Sequence, residues 1–195
     1  MDPSLVIYLA RHGQTQFNCE QRFCGLSDSP LTVVGIEEAH RNGRVLRSRI
    51  LAGQPLRIVS SPLARALETA GIIRAELGRA KQPIETDPRL REISFGAWEG
   101  LTIGEIEARY DGAWERRQAN KWTYAPPGGE SYANVARRVS SWLCEAHGPL
   151  LVVTHGVVDR IIRGLYGGMS IFDICQLPEP QDVLFQLKAG RISTL

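Results

Sequence analysis

Four stretches of this chain carry residue types suited to phosphoryl transfer. Arg11-His12-Gly13 sets an imidazole beside a guanidinium and a residue with no side chain, directly after a short apolar run over residues 4–10. An unprotonated imidazole can attack phosphorus, a guanidinium can hold two phosphoryl oxygens bidentately, and glycine lets the backbone come close. Alone, such a tripeptide also fits an ordinary surface turn. His155-Gly156 repeats the layout after a second apolar run over residues 149–154. Two strands that each release His-Gly at the carboxyl end would bring both imidazoles to one edge of a parallel sheet. Arg65 lies in the first turn or so of a helix that follows Ser60-Ser61-Pro62. The helix dipole disfavours a cation there, so its placement calls for an anion. Glu92, close to Phe95 and Trp98, is the acid candidate, because a partly dry pocket raises a carboxyl pKa and lets it donate a proton near neutral pH. Glu99 competes for that role.

The elements that must position these groups are legible as alternating strands and helices. Residues 4–10, 56–59 and 149–154 read as buried strands. Thr32 caps a helix whose inward stripe is Ile36, Ala39, Gly43, Leu46 and Ile50. Ser61 is the expected cap and Pro62 the first residue of the next helix, with Leu63, Ala66, Leu67, Ala70, Ile73 and Leu77 inward and Arg65 turned away from the core. Residues 19–31 form a turn-rich loop that can supply a pocket wall from Arg22, Phe23, Cys24 and Gly25. Residues 90–100 read as an ordered loop. Thr102-x-x-Glu105 is a capping box that starts a helix with Ile106, Tyr110 and Trp114 along one side. Arg116, Arg117 and Lys121, followed by Trp122 and Tyr124, fit either a lid over a substrate or a solvated helix end. Ser131 caps a further helix, whose end carries a structural His147. Residues 183–187 and 191–195 read as a terminal hairpin, an antiparallel edge that can support a homodimer.

With 195 residues, the chain suits one α/β domain over residues 1–195. The 43% hydrophobic and 23% charged residues exclude a disordered or fibrous class. A net charge of +2 supplies no broad field for nucleic acid, so phosphate recognition must be local. Neither a membrane-length apolar run nor a signal-peptide pattern at Met1-Asp2-Pro3 is present, and the expected location is cytoplasmic. Cys19, Cys24, Cys144 and Cys175 lack metal-ligand spacing and are expected as reduced thiols, although a Cys19–Cys24 bridge is within sequence reach.

In this order, Arg11-His12-Gly13-x-Thr15-x-x-Asn18, Ser61-Pro62-x-x-Arg65-Ala66-x-x-Thr69-Ala70, Glu92 with Phe95-Gly96-x-Trp98-Glu99-Gly100, Gly128-Gly129-Glu130-Ser131 and Thr154-His155-Gly156 resemble the histidine phosphatase superfamily. The resemblance is to the branch that holds phosphoglycerate mutases and small-metabolite phosphatases, and it runs over essentially the whole chain. It implies a three-layer α/β/α sandwich, mostly parallel with an antiparallel edge, and no metal or other cofactor. His12 would be the residue phosphorylated, Arg11, Arg65 and His155 the phosphate pocket with help from Asn18, and Glu92 the proton donor. Gly156 beside His155 joins the implied pocket. A phosphate monoester carries nearly two negative charges, and each close pair with Arg11, Arg65 or a protonated His155 contributes about 4 kcal/mol before desolvation.

The resemblance also frames two outcomes for the phosphoenzyme. A mutase shields it from water, whereas a phosphatase admits water. Gly128-Gly129-Glu130-Ser131, the short tail and Phe95, where mutases place a substrate-contacting tyrosine, favour hydrolysis of a small phosphate monoester. Arg116-Arg117 looks like the arginine pair with which mutases grip phosphoglycerates, and keeps phosphoryl transfer in view. A catalytically weak phosphate-ligand binding protein is the alternative from another class, but it would not need the acid.

Overall fold

The structure, a computed structural model, describes residues 4–51 and 53–195. Met1-Asp2-Pro3, the stretch expected to lack signal-peptide features, lies outside the described residues. The strands are β1 (Val6–Arg11), β2 (Arg57–Ser60), β3 (Ile84–Thr86), β4 (Pro149–Thr154), β5 (Leu184–Lys188) and β6 (Arg191–Thr194). They form one sheet in the order β3-β2-β4-β1-β5-β6. β1, β2, β3 and β4 run parallel, while β5 pairs antiparallel with β1 and then with β6. The mostly parallel sheet with an antiparallel edge is therefore present as expected.

Alternation along the strands divides the core into two layers. Ile7, Leu9, Leu150 and Val152 face one side, under α6 (Tyr132–Glu145) and α7 (Gly156–Tyr166). Tyr8, Ala10, Leu151 and Val153 face the other, under α2 (Val33–Arg49) and α3 (Ala64–Glu76). Both faces of the central strands are buried, so they read as continuous apolar runs. Short helices complete the chain: α1 (Gln16–Cys19), α4 (Ile103–Arg109), α5 (Ala113–Ala119) and α8 (Ile171–Gln176).

Several local expectations are corrected. α3 begins at Ala64 after Leu63, which makes no side-chain cap bond, so Ser61 is not its cap. The Ser61 hydroxyl is instead 2.7 Å from His155 Nε2, and Asp28, from a distant loop, accepts from the Ala64 N–H at 3.0 Å. On α2, Gly35 and Asn42 are buried where Ile36 and Ile50 are only partly so. The helix expected from Thr102 through Trp114 is broken at Gly112, whose φ of 61° starts α5 afresh. α8, capped by Ser170, is an addition to the expected elements. The four cysteines are free thiols.

Candidate active site

In the parallel pairing of β1 with β4, Arg11 lies opposite Thr154. The next residue on each strand is a histidine, so His12 and His155 leave the sheet side by side, with ring centroids 5.1 Å apart. The His12 N–H continues the ladder by donating to the Thr154 carbonyl at 2.9 Å. His12 Nδ1 is 2.8 Å from the Gly13 carbonyl, which can only accept, so Nδ1 carries the hydrogen. Arg65 Nε, which can only donate, stands 3.3 Å from His12 Nε2. Both contacts require the same tautomer, with the lone pair on Nε2. Burial, reinforced by the positive charges of Arg11 and Arg65, holds His12 well below the usual imidazole pKa. The ring is therefore neutral at pH 7.

The chain holds this imidazole through close backbone packing. A Cβ on Gly13 would lie 2.1 Å from the Gly35 carbonyl oxygen, and one on Gly35 would lie 2.1 Å from that of Gln14. The two glycines thus seat the turn after β1 against the first turn of α2. The Gly13 N–H donates to Thr69 on α3, whose hydroxyl donates to the Arg65 carbonyl, and the Gln14 N–H donates to Glu38 on α2.

Arg65 is buried, not solvated on an outer face. Its guanidinium donates to the carbonyls of Ser27, Cys24 and Gly25 and pairs with Asp28 at 3.0 Å. The two 3.3 Å contacts, to His12 Nε2 and the Cys24 carbonyl, are the longest. Arg11 Nη1 donates to the Glu179 carbonyl at 2.5 Å, and Arg11 Nε is buried with no partner among the described residues. His155 Nδ1 is likewise a buried polar atom without a partner among the described residues. Orphaned polar atoms are costly unless a ligand completes them. Burial first, then Arg65, His12 and Arg11, lowers the His155 pKa well below its usual value. The protein by itself therefore presents two fixed positive charges here, with His155 neutral, not the three of a protonated pocket.

Glu92 borders the same cleft, whose volume is about 140 Å³. Its carboxyl accepts from the N–H of Ile93 at 2.9 Å and of Val157 at 3.4 Å. Burial, and then the nearby Glu179 carboxylate, push its pKa up. Arg138 holds its loop, donating to the carbonyls of Arg89, Arg91 and Glu92. Glu130 in turn pairs with Arg138 at 3.2 Å and accepts from the Ser94 N–H. Gly129 fits beneath it, since a Cβ there would lie 2.7 Å from the Ser94 carbonyl oxygen. The Gly128-Gly129-Glu130-Ser131 stretch thus has a physical role, which is to fix the loop of the acid. Glu99, the competing acid, accepts from the N–H groups of Leu26, Ser27 and Phe95 and from the Ser27 hydroxyl. Burial raises its pKa, but those bonds together outweigh it and keep Glu99 ionised.

Asn18, Arg22, Phe23, Cys24, Gly25 and Phe95 also line the cleft. The Asn18 carboxamide oxygen is engaged by Thr15 and Gln181, which leaves its NH₂ as a donor. Arg22 is committed to Glu20, Glu105 and the Gly100 carbonyl. Phe23 packs on Phe95 at 4.7 Å and on Trp114 at 5.7 Å. Arg117 is buried over the Phe95, Trp114 and Tyr132 rings, behind the wall and not in the cleft. Arg116 is not brought to the site: it is exposed and donates to the Asp111 carbonyl. Residues 110–124 pack on Trp98 through Tyr110, Trp114 and Tyr124, and so form a fitted roof to the aromatic wall. Gly156 is where the Glu179 carboxyl passes, 2.7 Å from where a Cβ would stand.

Sequence reasoning missed Asp28, Arg138, Val157 and Glu179. Among the described residues no group of three or more His, Cys, Asp or Glu is placed to hold a metal ion, and no helix is long and apolar enough to cross a membrane. A wider groove of about 660 Å³, bounded by Arg47, Leu51 and Arg79, includes neither histidine nor a carboxylate in its lining.

Residues 7–178 match the family described as histidine phosphatase superfamily (branch 1). The chain is 43% identical over 136 residues to a glucosyl-3-phosphoglycerate phosphatase of Mycolicibacterium vanbaalenii, a match covering 68% of this chain and 55% of that relative. It is 31% identical over 194 residues to a 2,3-bisphosphoglycerate-dependent phosphoglycerate mutase of Methylorubrum populi, covering 94% and 90% of the two chains. Among solved structures, a mycobacterial glucosyl-3-phosphoglycerate phosphatase in complex with VO3 superposes with a TM-score of 0.79 at 30% identity, covering 97% of this chain and 96% of the other.

Proposed function

The chain belongs to the histidine phosphatase superfamily, and from that premise we propose that it hydrolyses a small phosphate monoester through a phosphohistidine on His12, without a metal ion. The observation that carries this reading is the neutral His12 with its lone pair on Nε2, in a cleft shared with Arg11, Arg65 and the raised-pKa Glu92.

The free protein ties the nucleophile's lone pair to Arg65 Nε–H. A phosphoryl oxygen that takes this N–H releases Nε2 for in-line attack, while Arg11 Nε gains the acceptor it lacks. The P–N bond forms as the ester P–O bond breaks, and Glu92 gives its proton to the leaving alkoxide. Glu92, now a carboxylate, takes a proton from a water whose oxygen attacks phosphorus. The P–N bond breaks, phosphate departs, and both His12 and Glu92 return to their starting protonation. The substrate dianion offsets the repulsion among Arg11, Arg65 and His155, which favours protonation of His155 in the complex.

Mixing wild-type protein with ³²P-labelled substrate and quenching in base should trap an acid-labile phosphoenzyme, and His12→Asn should give neither phosphoenzyme nor p-nitrophenol from p-nitrophenyl phosphate. Undiminished turnover by His12→Asn would sink the mechanism. The match to a mutase supports one other reading, return of the phosphoryl group to a second hydroxyl. Interconversion of 2- and 3-phosphoglycerate faster than phosphate release would establish that reading instead.

A further inference from the structure

Beyond the phosphoryl-binding groups and the proton donor Glu92, the cleft offers a leaving group Phe23, Phe95, Val157 and a second acidic residue, Glu179. Three contacts fix Glu179. Its carbonyl accepts from Arg11 Nη1, its Oε1 pairs with Arg160 Nη2 at 3.1 Å, and Oε2 lies over Gly156, which has no side chain to exclude it. Arg160 is itself committed, donating to the Tyr132 hydroxyl at 2.8 Å while stacking on that ring. No hydrogen bond to Oε2 is formed among the described residues, so one acceptor oxygen stays available in the cleft wall. Arg160 takes only the other oxygen, and the cations that line the cleft are committed elsewhere: Arg22 to Glu20 and Glu105, and Arg11 and Arg65 to the phosphoryl group.

We infer that Glu179 is a specificity-determining residue that selects monoesters of uncharged, hydroxyl-bearing alcohols and rejects those with a carboxylate next to the ester-bearing carbons. A hydroxyl can donate to Oε2, whereas a carboxylate there meets like charge in a partly buried cleft. This rests on the phosphatase reading and adds the class of substrate to it.

Glycerol 3-phosphate and 3-phosphoglycerate make the decisive pair, because they differ by a hydroxymethyl group against a carboxylate. Wild-type protein should prefer glycerol 3-phosphate by about tenfold or more in kcat/KM. Glu179→Gln keeps the carbonyl that holds Arg11, removes the charge and frees Arg160, and should bring that ratio to within about threefold of unity. Glu179→Ala should do the same. The ratio is taken within each preparation, so partial misfolding of a variant cancels. A wild-type preference for 3-phosphoglycerate, or a ratio unmoved by both variants, would overturn the inference while p-nitrophenyl phosphate turnover upholds the phosphatase. Absence of turnover with every ester would remove the phosphatase reading, and the inference with it.

Discussion

Burial acts on His12 and Glu92 in opposite chemical senses. It favours the neutral imidazole, the form a nucleophile needs, and the protonated carboxyl, the form a proton donor needs. The acid matters most where the leaving alcohol is a poor one. Glu92→Gln should lower kcat by about 10²–10⁴-fold for an alkyl phosphate and far less for p-nitrophenyl phosphate, whose phenolate leaves unaided. Steady-state kcat for the two substrates checks this, and equal losses would assign Glu92 a role other than proton donation. The convergence of Arg11, His12, Arg65, Glu92 and His155 was legible because each sits in a short motif whose chemistry is local. Glu179, Asp28 and Arg138 were not, because each acts on a group far away in the chain. Asp28 meets Arg65 and the start of α3 from a loop 36 residues upstream, and Arg138 reaches back to the Glu92 carbonyl from α6. Nothing in the local pattern of a loop aspartate or a helical arginine reports its distant partner.

The two histidines are placed by the sheet, but the turn bearing His12 is held by α2 and α3. Gly35 packs so closely on Gln14 that a methyl group cannot be added without moving backbone. Gly35→Ala should therefore destabilise the fold by about 1–3 kcal/mol, measured as a lower urea midpoint. A variant as stable as wild type would show that the turn has slack. At the start of α3, Asp28 caps the helix and pairs with the buried Arg65. Asp28→Ala should cost about 1–3 kcal/mol and also raise KM, since Arg65 loses an anchor on its cleft side. A stability loss with unchanged KM would confine Asp28 to capping. Strands β1 and β4 and the Thr102 and Ser131 caps were legible because hydrophobic period and capping chemistry agree there. The start of α3 was misread because Ser61 can serve in two places, and bonding His155 takes precedence. The break at Gly112 was missed because apolar spacing continued across it, and six-residue α8 is too short to establish a period.

At the scale of the whole molecule, the buried titratable groups are those whose neutral form burial favours. His12 and His155 have folded pKa values below the unfolded value of about 6.5. Below that pH the unfolded chain binds more protons than the folded one, so these residues make stability fall as pH drops from about 6.5. Asp159, raised to about 6 by burial against the Arg163 pairing, and Glu92 act in the opposite direction as pH falls through their folded pKa values. Comparing urea midpoints of wild type and a His12→Asn, His155→Asn double variant at about pH 6.5 and about pH 5.5 cancels the carboxyl contributions. The wild type should lose more stability on acidification than the variant, and parallel losses would refute the neutral assignment. The alternation of strands and helices made the α/β class legible at this scale and the terminal hairpin its antiparallel edge, while the three layers were what the family resemblance implied. The strand order was not legible, since no local pattern reports which strands pair; only the meeting of residues 12 and 155 was expected, from two like strand ends and the family resemblance.

The register of β1 against β4 has a further consequence for how such a protein can diversify. Neighbouring strands lie about 4.8 Å apart, and that spacing, not any loop, sets the gap between the two imidazoles. The anion cup is consequently inherited with the hydrogen-bond ladder. The roof over residues 110–124 and the turn bearing Glu179 are attached outside that ladder and are free to vary in length and charge. New substrates can then be acquired by exchanging these peripheral segments while the reacting centre stays on a fixed molecular ruler.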